Sequence, residues 1–153
     1  MTLPSRPYAA FLFDMDGTLL TSIASAERAW STWARGHGLD PADVLAVMHG
    51  VRAVETVKRF VPPGADIEAE VQAITELEIA DVADIQEIPG AAAFLASLPA
   101  GSWALVTSAS RRLAEARLAA AGMALPPVMI CAEDVTQASR PRTASWPGRA
   151  SWG

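Results

Sequence analysis

Cysteine is nearly absent from the 153-residue sequence, in which Cys131 is the only one. A single cysteine excludes an intrachain disulfide and a zinc cluster built on cysteines, and it is typical of a protein in a reducing compartment. Charge is also scarce, at 19% of the residues, and it sums to −5. An acidic balance of this kind argues against nucleic acid as a partner. We therefore expect a cytoplasmic protein that binds no nucleic acid.

Long hydrophobic runs are missing as well. The apolar run at 9–13 is too short for a secretory signal and stops at Asp14. The stretch 88–110 carries no charge, but Pro89-Gly90 and the segment 99–102 interrupt it. Each apolar piece is then less than half of the roughly 20 residues that a membrane span needs. With 51% apolar residues the chain has ample material for a packed core, and we expect a globular protein without membrane contact, for which a monomer is favoured.

Short apolar runs alternate with helical patterns along the chain. The runs at 9–13, 103–106 and 128–131 are typical of strands buried on both faces. Four helices are predicted between the first two runs, starting near Ser25, Asp40, Ala53 and Ile67. A short helix after Gly90 and another over 111–121 are predicted later. Strands separated by helices imply a parallel sheet in an α/β fold, and the helical block after the first strand implies a second lobe.

Polar residues follow the first two predicted strands. Asp14 and Asp16 end the first, and Thr107 and Ser108 end the second. Because ligands bind beyond the carboxyl ends of parallel strands, these residues are candidates for one site. Two carboxylates so close together repel each other unless a divalent cation relieves the repulsion, and such a pair can divide the work of nucleophile and proton carrier. The alternatives are an ordinary capped turn for the aspartates and a helix cap for Thr107.

These segments resemble the motifs of a known family. The sequence FLFDMDGTL at 11–19 resembles the first motif of the haloacid dehalogenase superfamily of phosphatases, and ALVTS at 104–108 resembles the second. That family often inserts a helical cap directly after its first motif, where this chain has its helical block. The resemblance implies an α/β fold with a doubly wound parallel sheet and an inserted α-helical cap. The implied parts are a core at 1–17 and 89–137, a cap at 18–88, and a tail at 138–153.

The resemblance also implies a role for each site residue. Asp14 would attack the phosphorus atom and form an aspartyl-phosphate. Asp16 would protonate the leaving alkoxide and then activate water. The cofactor would be Mg²⁺, held as a metal site by the Asp14 side chain and the Asp16 main-chain carbonyl. The Thr107 hydroxyl and the Ser108 amide would bind phosphate oxygens near a helix N-terminus.

Shorter segments narrow the resemblance to the small sugar and polyol phosphatases, which include hexitol, glycerol and 2-deoxyglucose-6-phosphate phosphatases. The segments are 26–30, 37–39, 49–52, 88–91, 103–108 and 132–137. The implied partner is therefore a small phosphorylated sugar or polyol. Similarity to phosphoglycolate phosphatases and β-phosphoglucomutases is weaker, and it leaves a phosphoglycolate phosphatase or a phosphosugar mutase as alternatives.

Three groups of residues in the cap carry expectations of their own. His49 and Arg52 lie near a predicted helix start and would reach the substrate, unless both are plain solvent-exposed side chains. Trp30 and Trp33 share a helix face and are expected to form the cap core rather than a platform for a sugar. Three further charged residues are expected to be solvated: Arg28, Glu76 and Glu78.

The C-terminal part departs from the family pattern. The third motif, Gly-Lys-Pro, should follow Gln137, but Ala138-Ser139-Arg140 stands there and the only lysine of the chain is Lys58. The acidic fourth motif that completes the Mg²⁺ site is also missing. The tail 138–153 holds three arginines and two tryptophans but no acidic residue. One added base before the Ala138 codon would restore Gly-Lys-Pro with suitable codons.

This departure favours a one-base frameshift, and it predicts a disordered tail. It also predicts that the 153-residue chain has little or no phosphatase activity. The alternative from another functional class is a non-catalytic remnant or a binding protein.

Overall fold

The computed structural model describes residues 10–138. Its sheet has three parallel strands in the order β1-β2-β3, with β1 at Phe11–Phe13, β2 at Trp103–Val106 and β3 at Met129–Ile130. In the register, Leu12 lies opposite Ala104 and Leu105 lies opposite Met129. The predicted α/β fold with a parallel sheet is therefore confirmed, although each outer strand is shorter than its apolar run.

Four helices follow β1 and pack on one another. They are α1 (Ile23–Gly36), α2 (Pro41–Met48), α3 (Ala53–Phe60) and α4 (Ile67–Ala80). Trp30 and Trp33 are buried in their shared core, as the helical spacing predicts, together with Val44, Val57 and Ile74. The N-terminal ends of α2 and α4 are capped by Asp40 and Asp66, whose carboxylates accept hydrogen bonds from Ala42 N (2.9 Å) and Ala69 N (3.0 Å).

Three helices accompany β2 and β3. They are α5 (Ala91–Ser97), α6 (Arg111–Ala120) and α7 (Ala132–Ala138). A second apolar cluster forms under the sheet from Met15, Leu20, Ile85, Leu105, Leu118 and Cys131. The sequence pattern did not predict α7. Over residues 10–138 the molecule has no helix that is both long enough and apolar enough to cross a membrane.

Two neighbouring segments connect the helical block to the sheet. Thr21 N donates to the Gln86 carbonyl and Ile88 N donates to the Leu19 carbonyl, both at 2.9 Å. The chain therefore leaves the sheet region and returns to it along paired segments. The division into a core at 1–17 and 89–137 and a cap at 18–88 stays a prediction. Of the predicted tail at 138–153, the structure describes only Ala138, which ends α7; the rest lies outside the described residues.

Candidate active site

The two candidate aspartates lie in a tight loop after β1. Asp14 is exposed, and its Oδ1 accepts a hydrogen bond from Met15 N (2.8 Å). The Met15 side chain is fully buried in the apolar cluster under the sheet, and this packing anchors the loop. The Met15 carbonyl accepts from Thr18 N and Leu19 N at 3.2 and 2.9 Å, which turns the chain back on itself. Asp14 is thus presented to solvent on a loop that its neighbour fixes in place.

Asp16 lies deeper than Asp14, with 27% of its side chain exposed. Its Oδ1 accepts two hydrogen bonds, one from the Ser22 hydroxyl and one from Arg117 Nη1 at 2.9 Å. Both donors bind the same oxygen. The carboxylate is therefore oriented through Oδ1, and Oδ2 is available for other chemistry.

Arg117 connects Asp16 to the helical block. Its side chain is only 4% exposed, and its Nη2 donates to Glu78 Oε1 at 3.0 Å. The prediction that Glu78 is solvated is wrong, because Glu78 shares a face of α4 with the buried Ile74 and turns inward with it. Burial raises the pKa of the Glu78 carboxyl above its ordinary value, although the Arg117 charge acts in the opposite direction. The other two charges are solvated as predicted, with Arg28 paired to Asp81 and Asp84, and Glu76 paired to Arg112.

The second pair of candidates follows β2. Thr107 is buried, and its hydroxyl oxygen accepts a hydrogen bond from Ala109 N at 3.1 Å, which closes a short turn. Thr107 does not cap the following helix, because the N-cap of α6 is Ser110. Ser108 is exposed. At the start of α6 the Arg111 amide already donates to the Glu133 carboxylate, an acceptor that the sequence analysis did not assign to the site.

A cavity of about 650 Å³ lies between the helical block and the sheet. Asp16 and Ser108 line it, whereas Asp14 and Thr107 do not belong to its lining. His49 and Arg52 line it from the helical side. His49 directly follows α2, and its Nε2 lies 3.2 Å from Glu27 Oε1. Arg52 directly precedes α3, and its Nη2 lies 3.3 Å from Glu55 Oε1. The volume is in the range that small-molecule sites occupy.

Comparison with known proteins identifies the family. The model of the haloacid dehalogenase-like hydrolases matches residues 8–144. The chain belongs to this family. Hexitol phosphatase A of Escherichia coli is 44% identical over 129 residues, which cover 82% of this chain and 60% of that protein. 2-Deoxyglucose-6-phosphate phosphatase 2 of Saccharomyces cerevisiae is 36% identical over 115 residues, covering 67% of this chain and 47% of that protein.

Solved structures agree with this haloacid dehalogenase-like fold. A hydrolase from Pseudomonas syringae superposes with a TM-score of 0.71 at 19% identity, covering 83% of this chain and 63% of that one. The resemblance found in the sequence is therefore confirmed at the level of family and fold. The chain spans about half to three fifths of the length of the curated relatives that it matches.

Within this haloacid dehalogenase-like fold, the donor atoms near Asp14 suit a hard cation. The described residues contain no group of three or more histidine, cysteine or acidic side chains that could hold a metal ion. Mg²⁺, however, needs only one or two carboxylates together with water and substrate oxygens. The exposed Asp14 carboxylate meets this need. Oδ1 of the Asp16 side chain is held by Ser22 and Arg117, and the Asp16 main-chain carbonyl stays a prediction as the second ligand.

Proposed function

We propose that the protein hydrolyses the phosphate ester of a small sugar or polyol, with Asp14 as nucleophile and Asp16 as general acid and base. The single observation that supports this most is the placement of the two aspartates. Asp14 is exposed and free to meet a phosphate, while Asp16 lines a cavity large enough for a small phosphorylated molecule. The relatives named above are a hexitol phosphatase and a 2-deoxyglucose-6-phosphate phosphatase. A sugar or polyol phosphatase is therefore favoured over a mutase, a phosphoglycolate phosphatase or a non-catalytic remnant.

In the proposed reaction, an oxygen of the Asp14 carboxylate attacks phosphorus and the ester oxygen leaves as an alkoxide. Asp16 donates a proton to that alkoxide, so a neutral alcohol departs and the phosphoryl group stays on Asp14. Asp16 then takes a proton from water, whose oxygen attacks the same phosphorus. Inorganic phosphate leaves and both carboxylates return to their starting states.

The other site residues would bind and orient the substrate. The Thr107 hydroxyl and the Ser108 amide would hold phosphate oxygens next to Asp14, and His49 and Arg52 would contact the sugar hydroxyls from the helical side. The Asp14 carboxylate and the Asp16 main-chain carbonyl would hold Mg²⁺, whose charge offsets that of the phosphate when the ion is bound.

The sequence after Gln137 limits the rate that we expect of this chain. The chain has no lysine other than Lys58, which lies in α3. A phosphoryl group on Asp14 would then lack the charge of the lysine that the third motif implies, and removing such a charge from a transition state slows a reaction by roughly 10²–10³-fold. We therefore expect very slow turnover by the 153-residue chain.

The test compares this chain with a chimera whose residues after Gln137 come from the matching part of hexitol phosphatase A. Phosphate release is measured with a panel of sugar and polyol phosphates in the presence of Mg²⁺, after circular dichroism has shown that the chimera is folded. We expect the chimera to turn over and the Asp14→Asn chimera not to. A folded chimera without turnover would contradict the proposal, and fast turnover by the 153-residue chain would contradict the predicted impairment.

A further inference from the structure

Arg117 is a buried cation that the proposed reaction does not use. It lies on α6, and its two terminal nitrogens reach two different parts of the molecule. Nη1 donates to Asp16 in the loop after β1 at 2.9 Å, and Nη2 donates to Glu78 on α4 at 3.0 Å. One guanidinium therefore joins the candidate general acid–base to a helix of the helical block.

This arrangement is a poor way to gain stability. Replacing a buried ion pair by apolar side chains of similar volume is often neutral or stabilising, because two charges must lose their hydration. Arg117 also has a buried Nε atom with no hydrogen-bond partner among the described residues, which adds to the cost. Its neighbours on α6 include the buried Leu113 and Leu118, so an apolar side chain would fit this environment. Stability alone does not explain an arginine here.

The contact with Asp16 offers a better explanation. Arg117 and Ser22 both donate to Oδ1 of Asp16, so they select one orientation of that carboxylate. The Ser22 donor precedes α1, and the Arg117 donor is itself held from the other side by Glu78 of α4. The orientation of Asp16 thus depends on the start of α1 and on α4, which both border the cavity.

We propose that Arg117 is a positioning residue that holds the Asp16 carboxylate in a single rotamer as long as α4 is docked on α6. The role of the held carboxylate rests on the proposed function, whereas the holding itself does not. Docking of α4 on α6 and alignment of the Asp16 carboxylate are therefore coupled. A proton carrier is then in place only when the cavity above it is closed by α4.

A second arginine–glutamate pair between the same helices provides a matched control. Arg112 of α6 binds Glu76 of α4, but both side chains are exposed, at 59% and 46%. Within the described residues, Arg112 makes no hydrogen bond or ion pair with Asp16. This pair therefore shares the helix-to-helix connection and lacks the connection to the loop.

The first experiment uses the 153-residue chain and the variant Arg117→Met/Glu78→Leu, which replaces the buried pair by apolar side chains. We expect a melting temperature within about 3 °C of the wild type or higher. The three-bond Hα–Hβ couplings of Asp16, measured by NMR, should change from the pattern of one rotamer to averaged values. The control Arg112→Gln/Glu76→Gln should leave these couplings unchanged.

Three outcomes would overturn the proposal. They are unchanged Asp16 couplings in the apolar variant, equal averaging in the control, and averaging already present in the wild type. If Arg117→Met/Glu78→Leu does not fold, Arg117→Gln/Glu78→Gln keeps a polar contact between the helices while it removes the cation from Asp16. The same averaging is expected there, and its absence would again contradict the proposal.

The second experiment separates this inference from the proposed function. In the active chimera described above, Arg117→Met/Glu78→Leu should lower kcat about tenfold or more and leave KM nearly unchanged, because alignment of a proton carrier matters in the transition state. A fall in kcat with averaged couplings supports the proposal, and an unchanged kcat overturns the link to catalysis. If the Asp16 couplings are averaged in the variant but neither the chimera nor its variants show any turnover, the result contradicts the proposed function and leaves this inference intact.

Discussion

Gly17 directly follows Asp16 in the loop that carries the two aspartates, where the chain turns back towards the helical block. Its φ of +74° lies in the left-handed region, and an added Cβ would come 3.3 Å from Ile23 Cδ1. We expect Gly17→Ala to destabilise the protein by about 1–2 kcal/mol, since an L-residue is strained there. Urea denaturation followed by circular dichroism measures the change.

Gly36 is the matched control for this substitution. It ends α1, its φ is not positive, and an added Cβ would meet no atom within 4 Å. Gly36→Ala should stabilise the protein by up to about 1 kcal/mol, because alanine is the better helix former. Equal effects of the two substitutions would show that the loop tolerates a side chain and would contradict this account.

Sequence reasoning at the scale of single residues proposed Asp14 and Asp16 as site residues and missed the buried Arg117 and Glu78 beside Asp16. Asp14 and Asp16 follow a recognisable strand, so their position could be predicted. Glu78 and Arg117 meet across 39 residues of sequence, and no local pattern encodes that contact. A weaker signal was present, because both residues fall on helix faces that are otherwise apolar. A charged residue on an otherwise apolar helix face is therefore a candidate for a buried ion pair.

At the scale of elements, the starts of the six predicted helices agree with the structure to within two residues. The predicted start near Ile67 agrees with the observed range of α4, Ile67–Ala80, and Asp66 caps it. The helix α7 was missed because its first residues carry no apolar periodicity. Its start is nevertheless fixed by Asp134, whose Oδ2 accepts from Cys131 N at 2.9 Å. A side chain that reaches back three residues is a recognised start signal, and it could have revealed α7.

An ion pair between α1 and α4 should make the stability of the helical block depend on pH. His37 Nδ1 lies 3.0 Å from the Trp33 carbonyl and Nε2 lies 3.2 Å from Glu70. The bond to Trp33 raises the pKa of His37, with a further contribution from Glu70. A raised pKa in the folded state means that the stability from this histidine is present below about pH 6.5 and is lost as the pH rises through the folded value.

The size of this effect is limited by solvent. Both side chains are partly exposed, so we expect less than about 1 kcal/mol between pH 6 and pH 8.5. Urea denaturation at several pH values should show a slope in the wild type that is smaller in His37→Gln. Glu70→Gln should remove the part of the pH slope that Glu70 contributes. The double variant should lose no more of the pH slope than His37→Gln alone. A pH slope that His37→Gln leaves unchanged would rule out this ion pair as its source.

At the scale of the whole molecule, one face of the sheet carries exposed apolar side chains in the part of the chain that the structure describes. In the described residues, β1 pairs with β2 on one side only, and the Leu12 side chain is 70% exposed. Ile130 on β3 is also exposed, and in the register it points with Val106 to the same face as Leu12. Apolar runs at 9–13 and 128–131 predicted strands buried on both faces. That prediction could not include the neighbours of each strand, because pairing partners are not encoded in a run itself.

Exposed apolar side chains on one face of a sheet favour association between copies of a chain. We expect Leu12→Ser to reduce both self-association and the binding of an apolar dye, because it removes the most exposed large side chain of this face. The cost in stability should stay within about 0.5 kcal/mol, since Leu12 is not buried. Light scattering during size-exclusion chromatography over a range of protein concentrations measures the effect. Leu125→Ser is the control, because Leu125 is 60% exposed and lies outside the strands. A wild-type chain that stays monomeric throughout and binds no more dye than Leu12→Ser would contradict this prediction and would support the monomer favoured by the sequence.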